Sequence, residues 1–341
     1  MPTRSRARAL PALLLASTTG LALVGCAAAA EPAGTEGLSI VASTNVYGDL
    51  AASIAGELAT VTSIIDSPAI DPHSYEASAQ DQLAVAGADL VIKNGGGYDP
   101  FIDVLIEGSG AKAPVVTAAA IAGIDDDHAH GEEEAHSEEE GEAHSEEEGE
   151  AHSDEGEEGD AHSHVAGENE HVWYDIHVME EVAAAIAAEL VELDADNAAT
   201  YEQNLADLEA EFEALDAELV AAAEALGGGT VAATEPVPAY LLAELGFSDE
   251  TPEQFTEAIE EGADVPPLAL QQTLDLIDAG EVTLLAYNEQ TASPETERVR
   301  EAAEAAGIPV VSFVETLPEG EDYVSWMRAN IEAVTQALTP A

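Results

Sequence analysis

Residues 194–229 read DADNAATYEQNLADLEAEFEALDAELVAAAEALGGG, and how this stretch is read decides the architecture. Ala198, Tyr201, Leu205, Leu208, Phe212, Leu215, Leu219, Ala222 and Leu226 recur at steps of three and four, which places them on one face of an α-helix. Asp194 supplies a start signal and Gly227 to Gly229 a stop, so the spacing predicts one helix over 194–226. An apolar stripe this regular fits either a coiled-coil dimer or a helix lying across two lobes. Because the stripe is single and firmly bounded, the second is favoured and a monomer is expected.

On the N-terminal side of this helix, short β-branched runs alternate with helix-length segments. LSIVAST (38–44), TVTSII (60–65), ADLVIKN (88–94) and APVVTA (113–118) read as buried strands. On its C-terminal side the alternation resumes with TVAAT (230–234), VTLLAYN (282–288) and IPVVSF (308–313). Helices are predicted from Pro252 to Glu261, Pro267 to Asp278, Pro294 to Ala306 and Asp322 to Leu338. Such alternation argues for an α/β fold with two lobes, each a small parallel sheet flanked by helices, joined by one long backbone helix. The front lobe spans 38–193, the linking helix 194–226 and the rear lobe 227–341. A binding cleft is expected between the lobes, beyond the carboxyl ends of their strands.

Of the 341 residues, 70 are Asp or Glu and 8 are Lys or Arg, a formal net charge of −62. Nucleic acid is excluded as a partner by that sign, and cations are favoured. Three of the basic residues, Arg4, Arg6 and Arg8, precede an apolar stretch that ends in LVGC. This is the pattern of a secretory signal over 1–26, with Cys26 as the lipidated residue of a bacterial lipobox. Residues 27–37 then read as a flexible tether, and the mature chain is expected outside the cell membrane on a lipid anchor. As the single cysteine, Cys26 also excludes an internal disulfide framework.

Residues 125–170 interrupt the α/β pattern. They contain 21 acidic residues, seven histidines and no lysine or arginine, with the unit AHSEEEGE written twice in succession. Too little apolar surface is present to offset the entropy of ordering, so a disordered insertion is expected. Its imidazoles, His128, His130, His136, His144, His152, His162 and His164, offer weak metal-recruiting positions. A solubilising spacer is the simpler reading of the same composition.

Only three histidines remain. His73 stands in AIDPHSYE after the second predicted strand, where Pro72 stiffens the loop. His171 stands in NEHVWYDIH, two positions before Trp173, and His177 lies on the helix that follows, where a capping or surface role is expected. In the rear lobe Glu235 follows one predicted strand, and Asn288 and Glu289 follow another. Two imidazoles from one lobe and oxygen donors from the other would form a four-coordinate site across the cleft, suited to a divalent first-row metal.

The motifs DPHSYE, HVWYD, EPVPAYL and YNEQTASP, in this order, resemble those of the zinc- and manganese-binding lipoproteins of ABC importers. The likeness runs from about Leu38 to Leu338 and includes the long helix. It implies that His73 and His171 are metal ligands and that the third ligand, histidine in zinc members and glutamate in manganese members, is Glu235. The fourth family ligand is acidic, and its place is taken here by Asn288, with Glu289 or a water as the other candidates. Zinc members are similar in carrying a His- and acid-rich loop in the front lobe. The resemblance therefore implies a lipid-anchored, extracytoplasmic receptor that carries Zn2+ to ABC permease subunits, with Mn2+ as the alternative cargo, because a glutamate in place of an imidazole hardens the site. An extracellular zinc buffer or adhesin is a further alternative. The sequence contains no HExxH and no serine or cysteine nucleophile arrangement, so an enzyme is not expected.

Overall fold

The computed structural model describes residues 37–70, 72, 73, 75–124 and 169–339. Cys26 and the seven insertion histidines lie outside these described residues. In the front lobe, β1 (Leu38–Thr44), β2 (Ala59–Ile65), β3 (Leu90–Lys93) and β4 (Val115–Thr117) form a parallel sheet in the order β2-β1-β3-β4. In the rear lobe, β5 (Gly229–Ala233), β6 (Phe247–Asp249), β7 (Leu284–Asn288) and β8 (Val310–Phe313) form a second parallel sheet in the order β6-β5-β7-β8. The central strands are apolar along their middles because both of their faces are covered. Ile40, Val41 and Ala42 of β1 and Leu284, Leu285 and Ala286 of β7 are all buried.

Front-lobe helices are α1 (Asn45–Ala55), α2 (Ala79–Ala86), α3 (Pro100–Ser109), α4 (Ala118–Ile121) and α5 (Ile176–Leu193). The long helix α6 (Ala198–Leu226) has 29 residues. α7 (Ala239–Glu244), α8 (Glu253–Glu260), α9 (Pro267–Asp278), α10 (Pro294–Ala306) and α11 (Tyr323–Leu338) complete the chain. Tyr201, Leu208, Phe212, Leu215 and Leu219 of α6 are buried, each burial stabilising by about 1.5–3 kcal/mol for a side chain of this size. Their face packs on α1 and α5 on one side and on α11 on the other. The helix ends at Gly227 in the left-handed region, φ 74°, whose N–H donates to Ala223 O. Gly228 is required for a second reason: a Cβ there would stand 2.1 Å from Gly246 O.

One apolar core runs through both lobes, linking Ile40, Trp173, Phe212, Val231, Phe313 and Trp326. Smaller clusters around Val91 and Ile102, and around Phe255 and Leu285, cover the outer faces of the two sheets. Hydrogen bonds stitch the lobes where the core meets the cleft. Asn45 Nδ2 donates to Leu317 O at 2.8 Å, Leu317 N to Asn45 Oδ1 at 2.9 Å, and the Tyr174 hydroxyl to Val314 O at 2.7 Å. Tyr323 likewise donates to Trp173 O at 2.9 Å.

The expected two-lobe α/β fold is therefore present. Two elements are additional to the expectation, the three-residue β6 and the six-residue α7. Both are too short to show a periodic pattern, and two of the three β6 residues are exposed. The long helix begins four residues later than expected, since Ala195–Asn197 form a 3-10 turn. Among the described residues no helix is long and apolar enough to cross a membrane.

Candidate metal centre

His171 is positioned by its neighbour two residues before it. Asn169 Oδ1 accepts from His171 N at 3.1 Å and from His171 Nδ1 at 2.7 Å, while Asn169 Nδ2 donates to Pro236 O at 3.0 Å. A carbonyl oxygen only accepts, so Nδ1 carries the proton and Nε2 keeps its lone pair for a ligand. The Tyr240 hydroxyl fixes the same residue from the rear lobe, donating to Asn169 O at 2.7 Å.

The segment is held from the front lobe by the loop after β3, NGGGYD (94–99). Asn94 Nδ2 donates to Glu170 O at 2.9 Å, and Asn94 Oδ1 accepts a short bond from the Tyr47 hydroxyl. Both oxygens of Asp99 secure the loop itself, accepting from Asn94 N at 2.7 Å and Gly95 N at 2.8 Å. Burial holds this carboxyl above the usual carboxylate range, against the effect of those donors and of Lys93. Gly96, at φ 67°, lies against the segment: a Cβ there would come within 3.3 Å of Glu170 Cβ.

His73 follows buried Pro72, and its ring meets Tyr98 edge-on at 5.0 Å and His171 at 6.0 Å between centroids. Its Nε2 lies 3.8 Å from Glu315 Oε2. Glu315, two residues beyond β8, also accepts from the Tyr98 hydroxyl at 3.3 Å and from Asn288 Nδ2 at 2.7 Å. Ligand-capable atoms of His73, His171 and Glu315 all lie within 4.8 Å of one another, as do those of His73, Glu170 and Glu260.

Glu235 is 3% exposed and shares the Asn288 amide with Glu315, accepting a short bond from the same Nδ2. Asn288 itself presents its nitrogen to these carboxylates, because its Oδ1 is occupied by Gln290 N at 2.9 Å. Glu289 is exposed and its carboxylate accepts from the Ser312 hydroxyl at 2.8 Å. His177 is exposed, with Nε2 3.8 Å from Asp216. The structure thus brings His73 and His171 together with Glu315, and sets Glu235 beside Glu315.

Sequence reading missed three acids. Glu315 sits at a strand exit, the position that singled out Glu235, one residue later than the rule looks. Glu170 falls within the insertion expected over 125–170, whose acidic composition masks it, yet it is 2% exposed. Glu260 ends α8, where the helix dipole disfavours a negative charge, and that conflict was the available signal. Burial, then the charges of Glu170, Glu235 and Glu315, pushes its carboxyl well above the usual range. Four glutamates and two imidazoles sharing one buried cleft form a set that a divalent cation neutralises.

The sequence profile of the family described as ZnuA, zinc-uptake complex component A periplasmic, matches residues 40–337. The chain is 26% identical over 197 residues to the manganese ABC transporter substrate-binding lipoprotein ScaA of Streptococcus gordonii, a match covering 57% of this chain and 54% of that protein. It is 38% identical over 91 residues to the manganese-binding lipoprotein MntA of Halalkalibacterium halodurans, covering 26% of this chain and 30% of that one. The chain thus spans about half the length, or less, of these relatives. Among solved structures, the periplasmic zinc-binding protein TroA from Treponema pallidum superposes with a TM-score of 0.67 at 16% identity, covering 88% of this chain and 99% of that one.

Proposed function

The chain belongs to the periplasmic zinc-uptake component A family, and from that premise we propose that it is an extracytoplasmic receptor that captures a divalent transition metal in its cleft and delivers it to an ABC permease. The observation carrying this reading is the convergence of His73 and His171 from the front lobe with Glu315 from the rear, all within 4.8 Å. Zinc is the preferred cargo. Two imidazoles and buried carboxylates suit it, and zinc stands above manganese in the affinity order of such sites. Glu235 completes a four-ligand set, with Asn288 holding Glu235 and Glu315 side by side through its amide.

The protein is not an enzyme in this reading: the cleft binds and releases an ion and performs no bond chemistry. The N-terminal lipid on Cys26 keeps the receptor at the membrane surface. Metal collected by the insertion histidines raises the local supply to the cleft. A monomer suffices, because all the proposed ligands come from one chain.

Manganese is the second reading, supported by the relatives named for that metal and by the carboxylates that outnumber imidazoles in the cleft. Competitive calorimetric titration with zinc and manganese tests both. One tight site per chain should persist when residues 125–168 are deleted and vanish in His73→Ala and Glu235→Ala. Tight binding that disappears with the insertion and ignores His73 would instead make the protein an extracellular buffer.

A further inference from the structure

Glu315 is the ligand of the proposed set that lies beyond the end of its sheet. The ladder between β7 and β8 closes at the Asn288–Phe313 pair, two residues before it. Past that pair the ladder supplies no acceptor for Glu315 N, and the residue is 1% exposed, so its N–H needs a partner from elsewhere in the protein. The partner is a side chain: Glu315 N donates to Gln290 Oε1 at 2.6 Å. The main-chain N–H of Gln290 in turn donates to Asn288 Oδ1 at 2.9 Å, which directs Asn288 Nδ2 at the carboxylates of Glu315 and Glu235. Gln290 therefore holds Glu315 twice, directly at the main chain and through Asn288 at the carboxylate. The flanking residues are held from the front lobe, Val314 O by the Tyr174 hydroxyl and Leu317 by Asn45.

The other half of the Gln290 amide is idle. Its Nε2 is buried and donates no hydrogen bond among the described residues. An amide with one end unsatisfied is a costly way to fill space, and an apolar side chain would fill it better. The oxygen is the part of this side chain that the site uses.

We propose that Gln290 is a positioning residue for metal binding: it touches no ion, and it sets the point at which Glu315 meets the imidazoles of His73 and His171. This rests on the reading of the cleft as a metal receptor. Ligand atoms that already lie within 4.8 Å of one another need move little to reach an ion, and that advantage is lost once the Glu315 main chain can drift.

The test is a zinc titration of the full chain in competition with a chromophoric chelator. Gln290→Leu removes the acceptor and should weaken zinc binding about tenfold. Gln290→Glu keeps an oxygen at the same reach, loses only the idle donor, and should stay within about threefold of the wild type. A double-mutant cycle with Glu315→Ala separates positioning from general damage. Because Gln290 acts through Glu315, adding Gln290→Leu to Glu315→Ala should change the zinc constant by less than about threefold.

The proposal is overturned if Gln290→Leu binds zinc as the wild type does, if Gln290→Glu loses as much as Gln290→Leu, or if the tenfold loss persists in the Glu315→Ala background. Melting of the apo chain identifies a Gln290→Leu variant that does not fold, and Gln290→Asn, one methylene short of the acceptor position, then takes its place in the same cycle. The receptor reading fails separately: tight zinc binding would survive His73→Ala, whatever stands at position 290.

Discussion

The two sheets share one strand order, β2-β1-β3-β4 in front and β6-β5-β7-β8 behind, yet their strand exits carry different chemistry. The front lobe supplies both imidazoles, and neutral hydrogen bonds from Asn94 and Asn169 fix the His171 segment in place. The rear lobe supplies Glu235, Glu260 and Glu315, of which Glu235 and Glu315 share the amide of Asn288. A parallel sheet dictates where a functional side chain stands and leaves its type open. In the proposed reading, the front donors are held rigid before an ion arrives, whereas the rear carboxyl groups crowd one another until it does.

That contrast can be broken at four points. The largest effect is expected for His73→Ala, which removes one of the two imidazoles of the proposed ligand set. Affinity for zinc should fall by at least about 100-fold, roughly 2.7 kcal/mol, in a competition titration. Next, Asp99→Ala leaves the buried N–H groups of Asn94 and Gly95 without their acceptor. Unfolding in urea should show a loss of about 2 kcal/mol in the apo protein, and the rigid front lobe predicts this cost whether or not metal is present.

A smaller effect is expected from Asn169→Leu, which frees the His171 ring to change tautomer. Zinc should bind about tenfold more weakly, with a loss of about 1 kcal/mol in apo stability from the unpaired His171 N–H, and an unchanged affinity would show the ring to be held by packing alone. The smallest concerns Glu260. Its folded-state pKa is raised from 4.5 to about 9, so the native state holds a proton that the unfolded chain releases. Stability from this group is complete below the unfolded value and is lost as pH rises through that window. Glu260→Gln should therefore stabilise the apo protein at pH 8 and change its stability little at pH 4, as read by melting curves at the two pH values.

Much of this was legible in the sequence because the fold writes itself in periodicity. The stripe from Tyr201 to Leu226 specified α6, and β-branched runs located seven of the eight strands. β6 was not legible, since Phe247 is its single buried residue. For the site, the histidines were readable because so few lie outside the insertion, and their meaning came largely from family resemblance. The rear oxygens were harder. Whether Asn288 turns its oxygen or its nitrogen to the cleft depends on Gln290, a contact no pattern encodes. Glu170 differs from the run of acids before it only in being tied down by Asn94.

The uninterrupted core beneath the cleft constrains how a bound ion would leave. With Trp173, Phe212, Phe313 and Trp326 belonging to one packed body, the described residues show no break in the packing between the lobes. Loading should leave the radius of gyration from solution scattering unchanged. In the proposed role, unloading would then require work from outside, applied by a docked permease to individual loops at the rim, like a stiff socket emptied by its plug rather than a jaw that lets go by itself.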